Sequence, residues 1–206
     1  MQKYKNLTIG IILGITFLLI WNIAAFADSC ESIRSEVLRF HILANSDSEE
    51  DQTLKLKIRD AFLTEGSAIF DGTVTAEDAV EKITPEIPYL QSVAESIIKE
   101  NGFDYSVSIT VCEEYFDTRI YNGEVILPAG KYMALKVIIG SGQGQNWWCV
   151  MFPSLCLPAA EATDKEALDS IFSEQEEDII LSTDKYTVKF KIVEWIEKCK
   201  NKIDNR

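Results

Sequence analysis

The first 27 residues limit what the rest of the chain can become. Lys3 and Lys5 precede an apolar run from Leu7 to Ile23, and Ala25-Phe26-Ala27 stands directly before Asp28. A basic start, an apolar stretch and an A-x-A site together read as a secretory signal peptide cleaved after Ala27. Leu7 to Ala27 also approaches the ~20 residues that span a bilayer, so an uncleaved anchor helix is the competing reading. Either way the remainder is expected outside the cytoplasm, in a compartment that permits disulfides.

About 180 residues follow, enough for one domain with its own apolar core. The chain carries 20 basic and 33 acidic residues, a net charge of −13, and the leader holds only lysines, so its removal leaves the rest more acidic still. That balance argues against nucleic acid or anionic lipid as a partner, since both require a basic patch. Membrane contact is expected only through the N-terminal segment or a receptor.

Five cysteines, Cys30, Cys112, Cys149, Cys156 and Cys199, leave at least one thiol unpaired within a single chain. There is no C-x-x-C and no histidine cluster beside a thiol, so no metal and no cofactor is expected. Cys149 and Cys156 are the one close pair and the candidate disulfide.

Periodicity outlines the domain. EVLRFHILAN (36–45) reads as the first strand, and Ser48 with Asp51 resembles a capping sequence opening a helix that Gly66 closes. A second helical region starts at Thr75, breaks near Pro85 and Pro88, and ends at Asn101-Gly102. YSVSITVCEEYF (105–116) alternates as a strand, Asn122-Gly123 signals a hairpin turn, and KYMALKVIIG (131–140) supplies another strand. The expectation is an α+β fold of β-α-α-β-β-β order, with helices packed on a mainly antiparallel sheet and a C-terminal helix. The divisions are a leader (1–27), a core domain (28–156), an acidic connector (157–182) and a C-terminal segment (183–206). In that segment Phe190, Val193, Ile196, Cys199 and Ile203 share one helical face, although its first residues also alternate as a strand would.

Residues that suggest chemistry are few. His41, the single histidine, falls within the first strand, and a Cys149–His41 dyad in a secreted thiol-dependent hydrolase is the enzymatic alternative. The acidic turn Asn45 to Asp51 lacks the ligand spacing of an EF-hand and reads as helix capping. Trp147 and Trp148 are adjacent, so in a strand their rings leave opposite faces. Trp148 shares its parity with Val150 and Phe152, which makes Trp147 the outward ring and a candidate interface anchor.

RFHILANSDSEEDQTLKLKIRDAF (39–62) and GKYMALKVIIGSGQGQNWWCVMFPSLC (130–156), in this order behind a signal sequence, resemble the two blocks of the stage II sporulation protein R family. KFKIVEWIEK near the C-terminus fits as well. The resemblance implies a non-enzymatic signalling protein, exported from the forespore to the space between the forespore and mother-cell membranes. There it would activate a membrane-bound aspartic protease that processes the sigma-E precursor, with no small-molecule substrate. Mapped by block, Arg39, His41, Asn45, Ser46, Asp47, Gln145, Asn146, Trp147 and Trp148 become the candidate partner-binding residues.

Overall fold

The computed structural model describes residues 2–121, 124–153, 168 and 171–204. The chain opens with helix α1 (Gln2–Ser35), whose first two-thirds project exposed and whose last turns enter the domain. Phe26, Cys30 and Ile33 are buried there, so the A-x-A site lies inside a continuous helix that packs on the fold. Strand β1 (Leu38–Leu43) follows, then α2 (Glu49–Ile69). Ser48 caps α2 by accepting from the Asp51 backbone amide, and three acids occupy its first turn, where the helix dipole favours them.

Gly66 does not end α2 as expected. The helix runs on to Ile69, and Gly66 is the point where Met151 packs close, a Cβ there standing 3.0 Å from the methionine Cε. Thr75 caps α3 (Ala76–Ile83), and a 3-10 turn at Pro85 leads into α4 (Ile87–Glu100). Gly102, at φ +80°, closes it.

Five strands come next: β2 (Val107–Phe116), β3 (Arg119–Tyr121), β4 (Val125–Leu127), β5 (Gly130–Ile139) and β6 (Asn146–Phe152). Helices α5 (Glu174–Leu181) and α6 (Thr183–Asp204) complete the described chain. Ser173 and Glu176 form a reciprocal capping box at the start of α5, so part of the expected connector is helix. The residues around Cys156, most of 157–170 and the Asn122-Gly123 turn lie outside the described residues.

The class is α+β, with two refinements. The main sheet runs β2-β5-β1-β6, and β3 pairs with β4 in a small hairpin of its own. Both outer pairings are antiparallel, but the central pair, β1 with β5, is parallel, with Leu38 opposite Met133. Helices α2 to α4 cover one face, over Phe40, Ile42, Leu135, Val137, Cys149 and Met151. The end of α1, the hairpin, α5 and α6 cover the other, over Tyr132, Ala134 and Val150.

A register shift between Leu38 and Arg39 interrupts the β1–β6 ladder. It breaks the parity expected for β6: Phe152 packs in the first core with Cys149 and Met151, not with Val150. In α6 the buried positions are Phe190, Val193 and Glu197, whereas Cys199 and Ile203 are exposed. The face is rotated because Arg34 of α1, itself buried, takes Glu197 as an ion partner.

Candidate functional site

The candidate residues run along the β1–β6 ladder and into the turns beyond its Leu43–Asn146 end, and three groups of contacts hold them. The first is a corner where the β1–α2 turn meets the glycine-rich turn before β6. Asn45 accepts from the Ser141 amide through Oδ1 at 3.0 Å and donates to the Asp51 carboxylate at 2.9 Å, where Ser46 Oγ also donates at 2.5 Å. Asp47 accepts from the Gln145 amide at 2.7 Å, and Lys55 Nζ donates to the Gln145 carbonyl at 2.9 Å. The Gly144 amide donates to the Ala44 carbonyl at 2.9 Å. Burial alone would raise the Asp51 carboxyl, but hydrogen bonds from Ser46, Asn45 and Tyr105 outweigh it and hold its pKa below the ordinary value. Asn45, Ser46, Asp47 and Gln145 therefore brace one turn against the other.

The second group centres on His41. Its Nδ1 lies 2.7 Å from a Glu114 oxygen and its Nε2 3.0 Å from Asn146 Oδ1, while the ring is tilted against Trp148. Lys136 donates to the other Glu114 oxygen at 2.6 Å. Burial opposes ionisation of Glu114, yet the hydrogen bonds from His41 and Lys136 prevail and depress its pKa. His41 stands opposite Trp148 in the ladder and Cys149 opposite Phe40. Cys149 packs with Phe40 in the first core, whereas His41 shares the Trp148 and Phe116 side. Neighbouring strand residues leave opposite faces, so the sheet separates thiol from imidazole. The Cys149–His41 dyad is thereby ruled out.

The third group surrounds Arg39, which is 0% exposed. Its guanidinium carbon lies 4.4 Å from the centre of the Phe116 ring, 4.8 Å from Tyr132 and 5.3 Å from Tyr121. Nη2 donates to the Tyr121 hydroxyl at 2.6 Å, but among the described residues Nε and Nη1 find no hydrogen-bond partner. Arg119 of β3 lies with its guanidinium carbon 3.7 Å over the Trp148 ring, and its own Nε is buried and unpartnered. Burial lowers the Arg119 pKa, with a further push from Arg39. Trp148 is half-buried among these groups, while Trp147 is 37% exposed on the opposite face beneath Arg59, at 4.3 Å.

Among the described residues Cys30, Cys112 and Cys199 are free thiols, and Cys149 is not. Cys156 lies outside the described residues. No described group of three His, Cys, Asp or Glu side chains is placed to hold a metal ion.

These two interlocked turns and the strands they join fall within residues 34–162, which match the family profile of Stage II sporulation protein R. The chain is a member of that family. It is 34% identical over 183 residues to the Stage II sporulation protein R of Bacillus subtilis (strain 168), covering 80% of this chain and 81% of that protein. No solved structure matches it. Membership establishes a sporulation protein with an α+β fold and an N-terminal apolar helix suited to a signal sequence or anchor.

Sequence reasoning missed Glu114, Arg119 and Tyr121. Arg119 left one trace, as the sole basic residue in the arms of the predicted hairpin, TRIYNGEVILPAG. Glu114 and Tyr121 left none, because their partners are distant in the chain.

Proposed function

We propose that this protein is an exported sporulation signal, which acts from the space between the forespore and mother-cell membranes to activate the membrane-bound aspartic protease that processes the sigma-E precursor. Family membership carries this reading. The helix Tyr4–Ser35 supports it, with a mean hydropathy of 2.3 over its most apolar window and only 6% of that window buried. The surface offered to the protease is the Trp147–Trp148 end of β6, buttressed by the Asn45–Asp47 turn. A Cys149–Cys156 bridge would fasten the middle of that strand.

Phe26 favours the anchored form over the cleaved one. It is 4% exposed, stacked on Tyr186 at 5.4 Å and edge-on to Phe190 at 5.2 Å. Cleavage after Ala27 would remove a packed core residue.

The test is reconstitution. The protease and the sigma precursor are co-expressed with the full chain, with no chain, and with a form lacking residues 2–27. Precursor processing only with the full chain is expected. Equal processing without any chain, or full processing by the leaderless cytoplasmic form, overturns the proposal.

A further inference from the structure

Arg39 and Arg119 stand apart from the other described arginines. Arg34 pairs with Glu31 and Glu197, and Arg59 pairs with Asp60. Among the described residues neither Arg39 nor Arg119 has a carboxylate ion partner. Asp117, whose charge reaches Arg119, is paired with Lys198 at 3.2 Å, and Glu114 is paired with His41 and Lys136. Taking a charge out of water without a counter-ion is costly. The faces of Phe116, Tyr132, Tyr121 and Trp148 offset part of that cost through their quadrupoles. Among the described residues they leave three buried nitrogens without a hydrogen-bond partner, Nε and Nη1 of Arg39 and Nε of Arg119.

Two neighbouring like charges, each against its own aromatic rings and without a paired anion among the described residues, form a site complementary to one. We infer that Arg119, backed by Arg39 and Tyr121, is the binding site for a carboxylate side chain on an acidic segment of the partner protein. This rests on the signalling reading above and names the chemistry that the partner presents there.

The roles follow from position. Arg119 is half-buried and lies against Trp148, so it is the residue an incoming carboxylate meets. Arg39 is fully buried, and its charge acts on that of Arg119. In surroundings of low polarizability its field reaches Arg119 with little screening. The Tyr121 hydroxyl accepts from Arg39 and keeps its own proton to donate. A planar guanidinium matches a carboxylate in two parallel hydrogen bonds, and the aromatic walls suit the apolar residues flanking it.

The experiment uses the full chain in detergent and follows tryptophan fluorescence. The probes are a hexapeptide alternating valine and glutamate, blocked at both ends, its glutamine counterpart, and inorganic phosphate. The glutamate peptide is expected to bind at least about tenfold tighter than the glutamine one, the scale of one charge-assisted hydrogen-bond pair. Arg119→Gln should abolish that preference, and Arg119→Lys should retain part of it. Arg119 has no ion pair to lose among the described residues, only its stacking on Trp148, so both variants should melt close to the parent.

Equal binding of the two peptides, binding of neither, or phosphate saturating the site as well as the glutamate peptide would each overturn the inference. A parent that activates the protease yet shows no glutamate preference sinks the carboxylate site and leaves the signalling reading standing. A parent that prefers glutamate but fails to activate the protease does the reverse.

Discussion

Gly144→Ala tests whether the two turns really hold each other. A Cβ at this position would lie 2.2 Å from the Ser46 carbonyl oxygen and 2.6 Å from its carbon, both backbone atoms that no rotamer can move aside. Restoring ordinary contact requires the turns to part by about 1 Å. The Gly144–Ala44 hydrogen bond of 2.9 Å and the Gln145–Asp47 bond of 2.7 Å would then exceed hydrogen-bonding distance. Losing one neutral and one charge-assisted bond, with strain from overpacking, amounts to roughly 3–5 kcal/mol. The stiffer unfolded chain returns about 0.5–1 kcal/mol. For a domain of this size the melting temperature should fall by roughly 5–15 °C. Circular dichroism melts of the full chain in detergent measure this, with Gly66→Ala as the control. There the obstructing atom is the flexible end of Met151 in a helix interior, and the change should stay within about 1 kcal/mol. If Gly144→Ala melts with the parent, the turns are not braced as described.

The tryptophan pair should separate stability from signalling: Trp147→Ala should cost under about 1 kcal/mol of stability yet abolish precursor processing, whereas Trp148→Ala should cost roughly 2–3 kcal/mol. Normal melting and normal processing in both variants would remove β6 from the recognition surface. Thiol counting on unreduced, denatured protein should find three free cysteines, since a bridge closing the short Cys149–Cys156 loop is worth roughly 2–3 kcal/mol in the chain-entropy view; five would exclude the bridge. In the folded protein Cys199 should alkylate readily, while Cys30, fully buried with its thiol pushed up to about 12, should wait for unfolding. Glu114 has a depressed folded pKa, so its contribution is present above the ordinary glutamate value and lost as pH falls through the folded one. Glu114→Gln should therefore flatten part of the acid limb of a stability–pH profile, and an unchanged limb would count against the His41–Glu114–Lys136 network.

Local rules carried a sequence reading a long way here. Ser48 and Thr75 cap helices because a side-chain oxygen reaches an amide three residues on, an event contained within one turn. Gly66 misled because a glycine admitted for close packing is spelled like one that ends a helix. The parity of Phe152 failed because the bulge depends on how β6 meets Leu38, more than a hundred positions earlier. The Arg39 and Arg119 pair was invisible for the same reason, since β1 and β3 approach only after the whole sheet is assembled. The tryptophans and His41 were legible as unusual residues, but their face, and the separation of His41 from Cys149, required the register.

The parallel pairing of β1 with β5 also carries a timetable. A chain is synthesised from its N-terminus, and Leu38 finds Met133 only after helices α2 to α4 and strands β2 to β4 have been made. Its other neighbour, β6, arrives later still. Until β5 is made the central strand has no ladder to join, and non-local pairings of this kind are slow to form. A product cut short before Gly130 would hold helices and the β3–β4 hairpin but no main sheet, and neither the tryptophan strand nor the cornered turns would exist. The molecule that presents this surface is therefore one whose synthesis has run past Phe152, so a chain truncated earlier carries no signal.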